Sequence, residues 1–174
     1  INAAKGKIDG LEIEVVVVPI DNLSINIDYG YLNARYTQLD SAVIGSFGNP
    51  IVNPIKEDDL FINTPKNSLS AGVQYEVELS NQATLRLRTD VNYKDKVAND
   101  AINTPELIQK ALTLVNLTAS YSPNNADWGI SLYIRNATDQ EYITSGVADK
   151  PGFGLVEVNV ARPREFGAVF NYTF

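Results

Sequence analysis

The chain has 174 residues, with 14 Lys and Arg against 21 Asp and Glu, a formal charge of −7, and neither cysteine nor histidine. That excludes disulfides, thiolate or imidazole metal sites, His-ligated haem, and cysteine or Ser-His-Asp catalysis within the chain. The negative balance argues against nucleic acid as a partner, the length fits one domain, and no apolar run approaches the ~20 residues of a membrane helix, so any membrane contact is made by strands. The chain starts at Ile1 without a basic-then-apolar leader in residues 1–10, which reads as a mature terminus or a cut into a larger protein.

Period-two alternation predicts seven strands. Lys7 to Val18 sets Leu11, Ile13, Val15 and Val17 against Glu12 and Glu14. Leu23 to Thr37 sets Leu23, Ile25, Ile27, Tyr29 and Tyr31 against Ser24, Asn26, Asp28 and Gly30. Ser68 to Leu79 opposes Leu69, Ala71, Val73, Tyr75 and Val77 to Gln74, Glu76 and Glu78. Ala83 to Lys94 is the cleanest: Leu85, Leu87, Val91 and Tyr93 oppose Arg86, Arg88, Asp90, Asn92 and Lys94. Residues 106–114 admit a helical turn but are read as a loop entering the fifth strand, Ala111 to Tyr121. Trp128 to about Tyr142 follows. The last strand, from about Val160, alternates through Phe166, Ala168, Phe170, Tyr172 and Phe174, and the chain ends inside it. Such an aromatic face fits either a half-buried edge strand or a strand facing lipid.

Strand length and connections separate the two. Globular strands usually have about 5 or 6 residues, and these runs are about twice that. Turns rich in Pro, Asn, Asp and Ser at 19–22, 80–82 and 122–127 alternate with long segments at 38–67, 95–110 and 143–159. Short turns at one end and long loops at the other are the layout of an outer-membrane barrel. Ten steps of about 3.3 Å, tilted by about 40°, rise roughly 25 Å, the height of the apolar band on such barrels. Tyr121, Trp128, Tyr172 and Phe174 fall near the short-turn end, and Tyr29, Tyr31 and Tyr93 near the long-loop end. These rings suit two interfacial girdles, although tyrosine is also a good strand residue. The other face carries charges of both signs, from Glu12 to Arg135, which need water or partners. They fit a lumen or the wet face of a soluble sheet.

Two stretches carry a family resemblance. Asn136, Thr138, Asp139 and Tyr142, with Ala137 in place of the usual leucine, match the penultimate-strand motif of TonB-dependent outer-membrane receptors. Pro163, Arg164, Phe166 and Gly167 resemble that family's lead into its last strand, and the chain closes on Tyr172-Thr-Phe174 as the family does. Gly10-Leu-Glu-Ile-Glu14, the 22–36 stretch and Asn63-Thr-Pro-Lys-Asn-Ser68 are similar more loosely and in the right order. The resemblance implies an all-β fold: an antiparallel meander forming the C-terminal part of a twenty-two-stranded transmembrane barrel in the Gram-negative outer membrane. The N-terminal plug domain and the earlier strands lie outside 1–174. It implies TonB-energised uptake of a ferric siderophore or similar large nutrient, with outer-membrane lipid, the plug, the remaining strands and TonB, reached through the plug, as partners. No catalytic residue, metal or cofactor is expected. A different outer-membrane barrel, or a soluble β-rich binding or adhesive module, is the alternative.

Under that resemblance the outer loops 38–67, 95–110 and 143–159 carry ligand specificity. Lys56-Glu-Asp-Asp59 is read as a solvated acidic turn, with attraction of a cation as the alternative. Arg86 and Arg88 are expected to pair with Glu76 and Glu78 across the hairpin. Asn-x-Ser/Thr triplets at Asn22, Asn116, Asn136 and Asn171 lie on strands or tight turns and are not read as modification sites. Phe170, Tyr172 and Phe174 resemble the terminal signal read by the barrel-assembly machinery through strand addition.

Overall fold

The computed structural model describes residues 4–44, 48, 50–124 and 126–174. The start of the chain, part of the expected 38–67 loop and Asn125 of the 122–127 turn lie outside the described residues. The strands are β1 (Ala4–Ile20), β2 (Leu23–Leu39), β3 (Ala42–Ile44), β4 (Pro50–Val52), β5 (Asn67–Glu78), β6 (Thr84–Lys94), β7 (Val97–Ala98), β8 (Ile108–Gln109), β9 (Leu112–Ser122), β10 (Trp128–Arg135), β11 (Ile143–Asp149), β12 (Leu155–Val160) and β13 (Glu165–Tyr172). One 3-10 turn, Pro105–Leu107, precedes β8. Seven of the strands form one antiparallel sheet in the order β1-β2-β5-β6-β9-β10-β13. This is the expected meander. The pairs β3–β4, β7–β8 and β11–β12 stand apart as small hairpins in the long connections.

Register carries the two faces unbroken across the sheet. One row runs Leu23–Tyr75–Leu87–Ala119–Leu132–Ala168 through directly opposed residues. Its neighbour on the other face runs Ser24–Gln74–Arg88–Thr118–Tyr133–Gly167. The apolar face has a boundary. On β1 it runs from Val17 to Leu11, and the next same-face residues outward are Asp9 and Lys7, opposite Asn33 and Arg35. Asp9 is bridged there by Lys7 and Arg35, each at 3.2 Å. Seventeen-residue strands tilted by about 40° rise roughly 40 Å, well past an apolar band of about 25 Å. The change from leucine and tyrosine to ion pairs marks where the apolar face of β1 and β2 ends.

Only five described hydrophobic residues are buried: Ala83, Val97, Ala98, Leu107 and Leu112. Among the described residues no second layer covers the sheet, and its apolar face is open, with Leu132 55% and Phe170 64% exposed.

Three expectations change. The sixth strand stops at Arg135 rather than near Tyr142, because Asn136 turns to φ 49° and Asp139 to φ 55°, a left-handed geometry that ends a strand. Val160 closes the β11–β12 hairpin, so the last wall strand begins at Glu165. That strand ends at Tyr172, placing Phe174 beyond it, although Thr173 still donates its N–H to the Asp127 carbonyl at 2.7 Å. At the other end β1 runs on through Pro19 and Ile20, with the register irregular between Val17 and Ile20 where proline has no N–H to donate. Asn22, φ 66°, then makes the tight turn into β2.

Candidate functional site

The long connections converge at one end of the sheet, and the 95–111 segment joins them. Asn103 clips the 53–66 stretch twice: its Oδ1 accepts from Leu60 N at 2.7 Å and its Nδ2 donates to Leu60 O at 3.0 Å. Asn63 N donates to Ala98 O at 3.0 Å. Asn-Thr-Pro occurs at 63–65 and again at 103–105, and both asparagines sit at φ 51°, which asparagine tolerates better than most residues. On its other side the segment holds the third loop. Gln109 Oε1 accepts from Ile143 N at 2.6 Å, and Lys150 Nζ reaches Glu106 at 2.8 Å. Leu107 is fully buried beside Gly146, where any Cβ would overlap both the leucine methyl and the Glu157 carbonyl. The Lys150 ammonium holds the Glu106 carboxyl below its ordinary range. Inside the segment, Asp100 accepts from both the N–H and the hydroxyl of buried Thr104. The helical turn admitted for 106–114 is confined to Pro105–Leu107.

Among the described residues three cavities lie at this end: one of about 620 Å³ between Val43 and Ile44, the 53–55 stretch, and Ala101 and Ile102 has no charged residue in its lining, and two are edged by charge. One, of about 530 Å³, lies between the 60–66 and 95–111 stretches, with Leu60, Phe61 and Ile108 in its lining and Lys66, Lys96 and Lys110 around it. Phe61 is anchored against Tyr36, ring centroids 4.4 Å apart. The other, of about 570 Å³, lies on the polar face of the sheet and is lined by Glu12, Glu14, Asp28, Lys94 and Tyr142, among others. Asp95, in the lining of the cavity of about 530 Å³, has both oxygens engaged: Oδ1 accepts the Tyr93 hydroxyl at 2.5 Å, and Oδ2 accepts from Asn67 Nδ2 at 2.6 Å and Asn67 N at 3.0 Å. The Tyr93 hydrogen bond, then those of Asn67, hold its carboxyl below the usual value.

The motif residues have structural tasks. Asn136, 6% exposed, bonds Gln140 in both directions at 2.9 Å. Its N–H donates to Asn116 Oδ1 at 3.0 Å, which ties the end of β10 to β9. Asp139 Oδ1 accepts from Arg164 N at 2.8 Å, and the Arg164 guanidinium lies 3.7 Å from Asp139 Oδ2. The two motifs therefore meet and close the base of the 136–164 excursion. Tyr142 O accepts from Ala161 N at 2.9 Å just inside that closure. Thr138 lies in the turn and Pro163 in the extended lead to β13. Phe166 heads the apolar face of β13 under the Arg164 guanidinium, 5.7 Å from the ring centroid. Gly167 sits beneath the Tyr133 ring, which leaves no room for a Cβ.

Tyr121, Trp128 and Phe170 form a ladder near the short turns, with centroids 6.0 and 6.1 Å apart, and Tyr172 meets Phe174 edge-on at 5.1 Å. At the other end Tyr29 donates to Asn67 Oδ1 at 2.7 Å, and Tyr31 lies opposite Leu11 and Asn67. Arg86 pairs with Glu76 at 2.7 Å as expected. Arg88 instead takes Asp90, two residues along its own strand, and Asn26, because Gln74 rather than an acid stands opposite it. Lys56-Glu-Asp-Asp59 is a turn closed on itself, Lys56 N donating to Asp59 Oδ2 at 2.8 Å. Among the described residues no group of acidic side chains is arranged to hold a metal ion. Sequence reasoning missed Asn103, Leu107, Gln109 and Gly146. The available signals were the repeated Asn-Thr-Pro and the apolar pair Leu107-Ile108 between polar Glu106 and Gln109.

Comparison with known proteins points one way. A family model described as TonB dependent receptor-like, beta-barrel, matches residues 1–137. The ferrioxamine B receptor of Salmonella typhimurium is 24% identical over 139 residues, covering 78% of this chain and 18% of the receptor. The ferric yersiniabactin uptake receptor FyuA of Yersinia pestis superposes with a TM-score of 0.80 at 18% identity, over 99% of this chain and 24% of that one. The siderophore receptor PiuA of Acinetobacter baumannii gives 0.74 at 23% identity, over 97% and 22%. The chain thus spans at most about a quarter of these relatives.

Proposed function

Because this chain belongs to the TonB-dependent receptor β-barrel family, we propose that it is the C-terminal wall of an outer-membrane receptor that imports a ferric siderophore or similar large iron chelate using energy delivered by TonB. The observation that carries this is the sheet itself: seven paired strands with an open apolar face on one side, charges on the other, and an ion-paired border where β1 and β2 run on outward. In water such a face invites aggregation; in a bilayer it is the solvated one. The free edges of β1 and β13 pair with the remaining strands of a twenty-two-stranded barrel. Lipid covers the apolar face, and Tyr29, Tyr31, Tyr93, Tyr121 and Trp128 stand at its two borders as girdles. An N-terminal plug fills the lumen, receives TonB, and faces Glu12, Glu14, Asp28 and Arg86 across it. The loop cluster receives the ligand; the chain's task is binding and passage rather than bond making.

The test is uptake. A host lacking its own siderophore receptors takes up radio-iron chelates when the full receptor is expressed and TonB is intact, and loses uptake when TonB is deleted. Uptake of no ferric chelate, or uptake indifferent to TonB, sinks the reading. For Phe170, Tyr172 and Phe174 the proposed role is recognition by the barrel-assembly machinery. Phe174 lies past the strand and is fully exposed, so Phe174→Ser lowers the amount of receptor in the outer membrane while leaving the ligand affinity of the inserted fraction unchanged. An unchanged amount removes that role.

A further inference from the structure

We propose that the cavity between the first two outer loops is the seat of an anionic ferric chelate, so that the receptor prefers negatively charged iron complexes to cationic ones. This rests on the receptor reading above and narrows its ligand class. Lys66, Lys96 and Lys110 surround the cavity, and Leu60, Phe61 and Ile108 supply apolar surface. None of the three lysines makes an ion pair with a described residue, and all three are exposed.

The carboxylate in the lining, Asp95, is hydrogen-bonded by the neutral donors Tyr93 and Asn67 and keeps its charge, so it offsets one of the three ammonium groups, with Lys66 acting on it through space. The acids of the 57–59 turn do not line the cavity, and Asp59 is bonded back to Lys56 N. A site with three cations to one acid, in a chain of net charge −7, is a local reversal of sign. Exposed ammonium groups around an apolar floor attract an anion with an apolar or aromatic body and repel a cation. The floor is fixed rather than loose. Asn103 holds both the N–H and the carbonyl of Leu60, and Phe61 packs against Tyr36 with the rings tilted. The polar-face cavity has the opposite balance, with Glu12, Glu14 and Asp28 against Lys94. An anion is therefore favoured at the outer cavity and opposed by that part of the wall.

The experiment measures binding and TonB-dependent uptake by the full receptor with two probes: a trianionic ferric tris-catecholate and the cationic ferrioxamine B. The expected result is tighter binding of the tris-catecholate, weakening as salt rises because the charges are solvent-exposed. Lys66→Gln, Lys96→Gln and Lys110→Gln combined reduce its affinity about tenfold, each exposed charge contributing a few-fold. Ferrioxamine binding holds or improves in the same variant. The triple Lys→Arg variant keeps the anion preference and controls for loss of packing, and outer-membrane amounts are compared for all forms. Unchanged tris-catecholate affinity in the triple Gln variant overturns the proposal, as does a wild-type preference for the cation. Either result, with TonB-dependent uptake intact, leaves the receptor reading standing. Failure to take up either chelate, extended to the wider panel above, fails both.

Discussion

Leu132, in the wall, is 55% exposed on a face made of its own kind, whereas Leu107, in a loop, is completely buried. In a globular domain the positions would be reversed. Four of the five buried hydrophobic residues, Val97, Ala98, Leu107 and Leu112, lie in or next to the second outer loop. The wall is held by its hydrogen-bond ladders, and in the membrane proposed for it the apolar environment comes from outside. The loops stand in water, so they carry a small core and polar clips of their own. Long loops with few buried contacts open readily; these have anchors at Asn103, Leu107, Gln109 and Lys150.

The contrast can be broken from either side. Leu107→Ala has the largest expected effect. It removes the loops' central side chain at about 2–5 kcal/mol, so limited proteolysis cuts the 95–111 and 143–160 segments while the barrel keeps its resistance to unfolding in detergent. Cuts no faster than in wild type would show that the loops do not depend on this core. Leu117→Arg puts a charge midway along β9 on the apolar face. It should cost about 2–4 kcal/mol in bilayer unfolding by denaturant and leave proteolysis of the loops unchanged; a stability equal to wild type would mean that face does not meet lipid. Asn103→Ala strands the Leu60 amide and carbonyl, costs about 1–3 kcal/mol locally, and speeds hydrogen exchange at Leu60. Acid has the smallest effect. The folded-state Glu106 carboxyl titrates below its unfolded value, so its bridge to Lys150 contributes fully above the ordinary glutamate range of about 4.3. That contribution is lost as pH falls through the depressed folded value. Protease sensitivity of the β11–β12 hairpin therefore rises in that acid window, and Lys150→Gln abolishes the pH response.

The wall was legible in the sequence because alternation is a long-range signal: from Leu85 to Tyr93 every second position is apolar or aromatic except Thr89. The polar partner of Arg86 followed from register. That of Arg88 did not, because the nearest acid lay along the strand. The first two loops were not legible, since their hairpins β3–β4 and β7–β8 have strands of two or three residues, too short for a period to show. The end of β10 was misread for a related reason. Asn136 and Asp139 stop the strand by side-chain bonds to Gln140 and Arg164, partners that alternation cannot display. Leu107 and Gly146 meet across 39 positions of chain, and neither residue alone announces the other.

The closure formed by Asp139, Arg164, Tyr142 and Ala161 has a bearing on engineering and on divergence. Both ends of the 143–160 excursion leave from one fastened point, so its length and sequence are decoupled from the register of β10 against β13. A hairpin of another size spliced between Tyr142 and Ala161 would meet the same doorway and leave the wall unchanged. The closure therefore acts as a socket that isolates the wall from changes in the segment it holds.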